Sequence, residues 1–247
     1  MPTNHPVLPD ERPLAIAHRA GNDLDLAREA IAYGADMLET DVWPRNGRLE
    51  IRHLKTFGPL PIYWEKWYID SIGGRQMQLR ELVSALPPDA RLFLDLKGLH
   101  PWLGERVVST IADIQRDRAI ILCGRNWRQL DRVEHLPNVH VFHSIGDERQ
   151  LAHYWPRLQV GSHPAVSIHY RLLTPDIIAR LKERHATIIA WTVNEPDVAH
   201  ALFDQGVDGF TSDNPELLVA IAQYRKEAFD QVPSTTLPLQ PKGLDDQ

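Results

Sequence analysis

Asp36-Met-Leu-Glu39-Thr-Asp41-Val-Trp-Pro44-Arg-Asn46-Gly47-Arg-Leu-Glu-Ile-Arg52-His53 is the stretch on which the fold turns. Apolar and polar residues alternate on both sides of a break, the period-2 signature of two strands joined by a hairpin. The spacing puts the turn at Pro44 to Gly47, where Asn46-Gly47 offers the positive φ angles of a tight hairpin turn. Residues two apart in a strand share a face, so Glu39 and Asp41 stand side by side. Met37, Leu38 and Val42 make the strand largely buried. Adjacent buried carboxylates repel unless a cation lies between them, and a metal site is the simplest remedy.

Outward from this hairpin the chain becomes regular. Leu14 to His18 is a short apolar strand ending in polar residues. Asp23 can cap a helix through Leu26, Ala27, Ala30 and Ile31, with Gly34 closing it. After the hairpin, residues 54–78 form the least regular part, an insertion that crowds Tyr63, Trp64, Trp67 and Tyr68. These aromatics are either ordinary packing or an apolar shelf for a lipid-like substrate. A short helix, Leu79 to Leu86, stops at Pro87-Pro88.

From Arg91 strands and helices alternate. The strands are Leu92 to Leu96, Ala119 to Cys123, Val139 to Phe142, Ala165 to Ile168, Thr187 to Thr192 and Gly209 to Thr211. Each leads to a helix: Trp102 to Arg116, Trp127 to Glu134, Glu148 to Tyr154, Pro175 to Arg184, Pro196 to Phe203 and Pro215 to Lys226. With the strands at Leu14 and Asp36 there are eight β/α units, and short strands alternating with helices require parallel crossovers. Eight units in about 215 residues predict an α/β chain closed as a single (β/α)8 barrel, a fold of about 250 residues. No Gly-x-Gly-x-x-Gly loop follows any strand, which removes the dinucleotide-binding open sheet. Residues 1–13 are then an N-terminal extension, 14–228 the barrel and 229–247, with Pro233, Pro238 and Pro241, a disordered tail.

Of the 247 residues, 43% are hydrophobic, and the formal net charge is −6 with no basic block. Nucleic acid is therefore a poor partner. The single cysteine, Cys123, cannot form an internal disulfide and suits a reducing compartment. No apolar run approaches a membrane span, and Met1 to Pro13 lacks the apolar core of a signal peptide. A cytoplasmic protein is expected, its oligomeric state not fixed by sequence.

Barrel enzymes work at the C-terminal ends of their strands. There stand His18-Arg19, Glu39 and Asp41, His53, Asp95 and Lys97 on one strand face, Trp191 to Asn194 and, at the end of the sixth strand, His169. An all-carboxylate shell suits Mg²⁺ or Ca²⁺ better than Zn²⁺. The cation, Arg19 and Lys97 can stabilise a phosphoryl transition state, and two histidines can exchange protons with nucleophile and leaving group. That combination describes phosphodiester cleavage.

His18-Arg19, Glu39-Thr-Asp41, His53, Asp95-Leu-Lys97, Trp191-Thr-Val-Asn194, Gly206-Val-Asp-Gly209 and Thr211-Ser-Asp213, in order across nearly the whole chain, resemble the glycerophosphodiester phosphodiesterase family. The resemblance implies a TIM barrel that hydrolyses a small-molecule glycerophosphodiester to an alcohol and sn-glycerol 3-phosphate with a divalent cation. It implies Glu39, Asp41 and Asp95 as metal ligands and His18 and His53 as the acid/base pair. Arg19 and Lys97 would bind phosphate, and Trp191 would line the pocket. The chain departs from the family pattern in four places: Ala20-Gly21-Asn22-Asp23 follows His18-Arg19, Leu54 follows His53, Asp95 stands where glutamate is usual, and the insertion after His53 is shorter than usual. Two other readings stay open: phospholipase D-like hydrolysis of lysophospholipids, and a barrel that binds a phosphoryl ligand without turning it over.

Overall fold

The computed structural model describes residues 8, 12–56, 60, 62–65, 68–72, 74–158 and 164–230. Eight parallel strands close into a barrel: β1 (Leu14–Ala17), β2 (Met37–Arg45), β3 (Arg91–Leu96), β4 (Ile120–Gly124), β5 (Val139–Ile145), β6 (Ala165–His169), β7 (Thr187–Trp191) and β8 (Gly209–Ser212). The order around the barrel is sequential, and β1 pairs with both β2 and β8. Each strand leads to a helix: α1 (Leu24–Ala32), α2 (Leu79–Ala85), α3 (Leu103–Ala112), α4 (Trp127–Asp131), α5 (Glu148–Tyr154), α6 (Pro175–Lys182), α7 (Pro196–Asp204) and α8 (Pro215–Asp230). The eight β/α units expected from the sequence are all present.

Alternation along the strands creates two cores. Leu14, Ile16, Met37, Phe93, Ile121, Phe142, Ala165 and Ile189 fill the barrel interior. Their neighbours of opposite parity, such as Ala15, Ala17, Leu38, Leu94, Leu122 and Ile188, pack outward with the helices. Continued one or two steps toward the C-terminal end, the inward parity changes from apolar to polar: His18, Glu39 and Asp41, Asp95, Ser144, Ser167, Thr211. The interior is thus sealed below and polar above.

Local signals explain the element ends. The Asp23 carboxylate accepts hydrogen bonds from the N–H groups of Asp25 and Leu26, at 2.8 and 3.1 Å, capping α1. Gly34 follows that helix with φ +92°, the left-handed residue that ends many helices. The last helix is tied to the barrel by Arg225, which donates to Asp36 at 2.6 Å.

The hairpin is tighter than the sequence suggested. Pro44 and Arg45 remain in β2, opposite Leu49 and Arg48 of the antiparallel strand Arg48–Ile51, and the turn is Asn46-Gly47 alone. Both residues have positive φ, 46° and 76°, as a two-residue hairpin turn requires. The insertion is also more ordered than expected. Met77–Gln78 pairs with Arg48–Ile51, and Lys55–Thr56, Ile62–Glu65 and Tyr68–Ile72 form a separate antiparallel sheet. Its strands are short and lack a long alternating pattern, so no periodic signal announced them.

The expected tail begins two residues too early, since α8 extends to Asp230. Residues 231–247 lie outside the described residues, as does most of the expected extension 1–13. No helix among the described residues is long and apolar enough to cross a membrane.

His143 on β5 faces outward, edge-on to Trp127 and beside Tyr154. Arg157 and Asp131 approach its Nε2 at 3.4 and 3.7 Å. Burial, reinforced by the Arg157 charge, lowers its pKa to about 4. A group whose folded pKa is depressed contributes stability above its unfolded value that is lost as pH falls through the folded value. Between about pH 6.5 and 4 the protein should therefore lose on the order of 3 kcal/mol through this residue. Denaturant titrations of wild type and His143→Leu at pH 7 and 4.5 check it, and parallel losses in both would refute the assignment.

Candidate active site

At the C-terminal mouth of the barrel lies a cavity of about 450 Å³, lined among others by His18, Arg19, Glu39, Asp41, His53, Asp95, Lys97 and Trp191. Eight of the nine residues expected from the sequence therefore meet in one place. The exception is His169. It does not line the cavity; it stacks on Tyr170 and presents an edge contact to Trp191, with ring centroids 5.0 Å apart. Its place is behind the wall.

The acidic cluster follows from register. Asp41 of β2 lies directly opposite Asp95 of β3, and Glu39 is one inward position below. Oxygen atoms of all three carboxylates come within 4.8 Å of one another. Burial, together with the charges of Asp41 and Asp95, raises the pKa of Glu39 well above the ordinary carboxylate range. Burial likewise raises that of Asp95, against the opposing charge of Lys97. Asp41 behaves differently. Its burial would raise its pKa, but hydrogen bonds from His53, Lys97 and Asn22 and the Lys97 charge outweigh it, and the carboxyl is held far below its usual range.

The Lys97 ammonium lies 2.7 Å from Asp41 Oδ1 and also bonds Asp95. Burial opposes its charge, but the three carboxylates overcome this and push its pKa up. Lys97 is thus the cluster's counter-ion. One positive charge among three acids leaves the site short of cation, and converging oxygens with two raised carboxyls fit a hard divalent ion. A second acid/histidine group, Asp131, Glu134 and His143, also has metal-compatible spacing. There Arg157 already pairs with Asp131.

The first turn after β1 holds the acids from the other side. Arg19 adopts φ 56°, a left-handed conformation uncommon for a residue with a side chain. Its N–H donates to Glu39 Oε2 at 2.7 Å. Asn22 grips Asp41 twice: its amide donates to Oδ2 at 2.7 Å and its oxygen accepts from the Asp41 N–H at 2.8 Å. Such an approach requires glycine between them. A Cβ on Gly21 would lie 1.8 Å from Thr40 Oγ1. The Ala20-Gly21-Asn22 departure from the family pattern is therefore a working part of the cluster.

Each histidine is oriented through Nδ1 by a carboxylate. His18 Nδ1 lies 2.5 Å from Asp213 Oδ1, and this bond lowers the pKa of Asp213. His53 Nδ1 lies 3.3 Å from Asp41 Oδ2. Asp213 is in turn steadied by Asn194, whose side-chain oxygen accepts from the Asp213 N–H at 2.8 Å. The pairing of His18 with Asp213 bridges 195 positions. It exists because β1 and β8 close the barrel with Ala17 opposite Ser212.

Arg125, Ser144, Ser167, Thr211, Trp43 and Lys55 also line the cavity, and Asn22, Asp213 and Asn194 support it. Most of the lining set continue an inward parity past a strand's apolar part, a signal present in the sequence. Asn22 carries no such signal, since only the turn onto β2 gives it a partner. Among the described residues, Arg19 Nε, Trp191 Nε1 and Thr211 Oγ1 are buried with no hydrogen-bond partner. Ligand oxygens could satisfy them.

A family model described as the glycerophosphoryl diester phosphodiesterase family matches residues 101–217. A Mycobacterium tuberculosis protein named "Probable glycerophosphodiester phosphodiesterase 2" is 29% identical over 87% of this chain and 92% of its own. The chain is similar to the glycerophosphodiester phosphodiesterase family. Family members of known structure share its barrel. A glycerophosphodiester phosphodiesterase from Parabacteroides distasonis superposes with a TM-score of 0.66 at 20% identity, covering 88% of this chain and 100% of that one. A phosphodiesterase from Oleispira antarctica, solved with the product sn-glycerol-3-phosphate, gives 0.64 at 18% identity over 89% and 97%. At these identities the likeness is one of fold.

Proposed function

We propose that the protein hydrolyses glycerophosphodiesters to an alcohol and sn-glycerol 3-phosphate, using Glu39, Asp41 and Asp95 to hold a divalent cation, Mg²⁺ or Ca²⁺. The observation that carries this is the meeting, in one cavity, of a cation-deficient carboxylate cluster with two carboxylate-oriented histidines and two cationic side chains. Bound there, a hard cation supplies Lewis-acid stabilisation of charge on the phosphoryl oxygens. The remaining chemistry belongs to the chain.

Arg19 and Lys97 balance the negative charge of the phosphoryl group, the guanidinium at its edge and the ammonium from within the cluster. Arg19 Nε, Trp191 Nε1 and Thr211 Oγ1 donate to substrate oxygens, which relieves their burial. His18 takes the proton from the attacking hydroxyl, of water or of the neighbouring glycerol carbon, the latter giving a cyclic phosphate that water opens to sn-glycerol 3-phosphate in a second step. Asp213 stands behind it as a carboxylate free of the acidic cluster, so it can stabilise the imidazolium that forms. His53 gives a proton to the departing alcohol oxygen as its bond to phosphorus breaks.

Cys123 lines the same cavity, but its thiol pKa is raised by burial and by Asp95 and Glu39, so it is no nucleophile. A reducing, cytoplasmic setting accords with it. Of the aromatic insertion, Tyr63 is fully buried and lies under Arg45 and Arg52, and Trp64 is half-buried beneath Lys55. Both pack the insertion, which favours water-soluble diesters over lysophospholipids. Trp67 lies outside the described residues.

The test is release of sn-glycerol 3-phosphate from glycerophosphoethanolamine by purified protein. Activity is expected to vanish in EDTA and to return with Mg²⁺ or Ca²⁺. Full turnover in EDTA would overturn the metal role. Product from lysophosphatidylcholine alone would transfer the reading to a phospholipase D-like enzyme, and binding of phosphate without any product to a non-catalytic barrel.

A further inference from the structure

The acidic cluster, Arg19 and the two histidines occupy the side of the mouth formed by β1, β2 and β3. The other side is built differently. Arg125, the residue after β4, extends across the mouth until its guanidinium lies over the Trp191 ring at the end of β7, 5.2 Å from the centroid. Between these strands β5 and β6 contribute only the small side chains of Ser144 and Ser167 to the cavity lining. Gly146 lets the loop after β5 pack closely against one flank of the guanidinium. A Cβ there would lie 2.4 Å from an Arg125 Nη.

Arg125 has no ion-pair or hydrogen-bond partner among the described residues, although most arginines of the barrel do. The lining supplies four cationic side chains, Arg19, Lys55, Lys97 and Arg125, against three carboxylates, all in the metal cluster. A divalent cation adds to that surplus, and one phosphodiester charge does not cancel it. An ammonium headgroup would find no uncommitted acid on this side, and the Trp191 face that could have cradled it is already covered by a cation.

We propose that Arg125, backed by Trp191, selects substrates whose alcohol carries an anionic group, a carboxylate or a phosphate monoester. The inference rests on the phosphodiesterase reading and names its substrate class. A guanidinium offers a planar pair of donors that matches either group. The hydroxyls of Ser144 and Ser167 in the same lining can complete the anion's hydrogen bonds.

Matched substrate pairs isolate the group. Glycerophosphoserine differs from glycerophosphoethanolamine by one carboxylate, and glycerophosphoinositol 4-phosphate from glycerophosphoinositol by one phosphate. Wild type should favour the anionic member of a pair by about tenfold in kcat/KM, as expected for a charge-assisted hydrogen bond, and the discriminated pair names the anion. Arg125→Gln should bring that ratio near unity, and Arg125→Lys should keep most of it. No preference in wild type, or an equal fall for both members in Arg125→Gln, would overturn the proposal. Calorimetric binding of O-phosphoserine against phosphoethanolamine asks the same question of a protein that hydrolyses neither diester. Tighter O-phosphoserine binding that Arg125→Gln abolishes supports the role even if the phosphodiesterase reading falls, and equal binding refutes it for a carboxylate.

Discussion

Replacing Lys97 with Met should destabilise the metal-free protein by about 3–5 kcal/mol, the usual cost of leaving a buried charge without its partner. The ammonium touches Asp41 and Asp95, and its removal leaves three buried acids facing one another. Its own raised pKa means that its stabilisation is complete below the unfolded lysine value and is lost only as pH rises through the folded one. At neutral pH the full contribution is therefore at stake. The variant's deficit should grow with pH, because Glu39 and Asp95, whose pKa values are raised, must then shed protons into an uncompensated cluster. Millimolar Mg²⁺ or Ca²⁺ should recover much of the loss, since a ligand that binds only the folded state stabilises it. Denaturant unfolding in EDTA and in excess cation measures both effects. Equal stability of Lys97→Met and wild type in EDTA would show that the ammonium is not the cluster's counter-ion.

The second large effect is on rate. His18→Ala should lower kcat about 10²- to 10⁴-fold, the range for loss of a positioned acid or base. Cation affinity should stay within about twofold, because the His18 ring bonds Asp213 and none of the three carboxylates. Asp213→Asn should lower kcat with KM unchanged, since it acts on substrate only through the histidine. Steady-state kinetics paired with calorimetric Mg²⁺ titration separate these outcomes. Full hydrolysis by His18→Ala would remove it from the mechanism, and a parallel collapse of cation binding would make it a structural support of the cluster.

Much of this site could be read in one dimension because inward-facing strand residues obey a period of two. Glu39 and Asp41, and Asp95 with Lys97, are fixed on a common face by that period alone. The parallel register of β2 and β3 then supplies the pairing of Asp41 with Asp95. His169 shows the limit of the rule. It shares the parity of Ala165 and Ser167, yet its ring turns onto Tyr170 and Trp191 and leaves the cavity.

The local pattern by itself determined the eight β/α units, the Asn46-Gly47 turn, the Asp23 cap and the polar strand ends, since each depends on residues within a few positions. Tertiary structure alone decided that Asp213 orients His18, that Asn22 clasps Asp41 beside an obligatory Gly21, and that Arg125 crosses from β4 to Trp191. Those contacts join residues up to 195 positions apart. They are set by which strands close the cylinder and how its loops fold over the mouth, and no local periodicity encodes either.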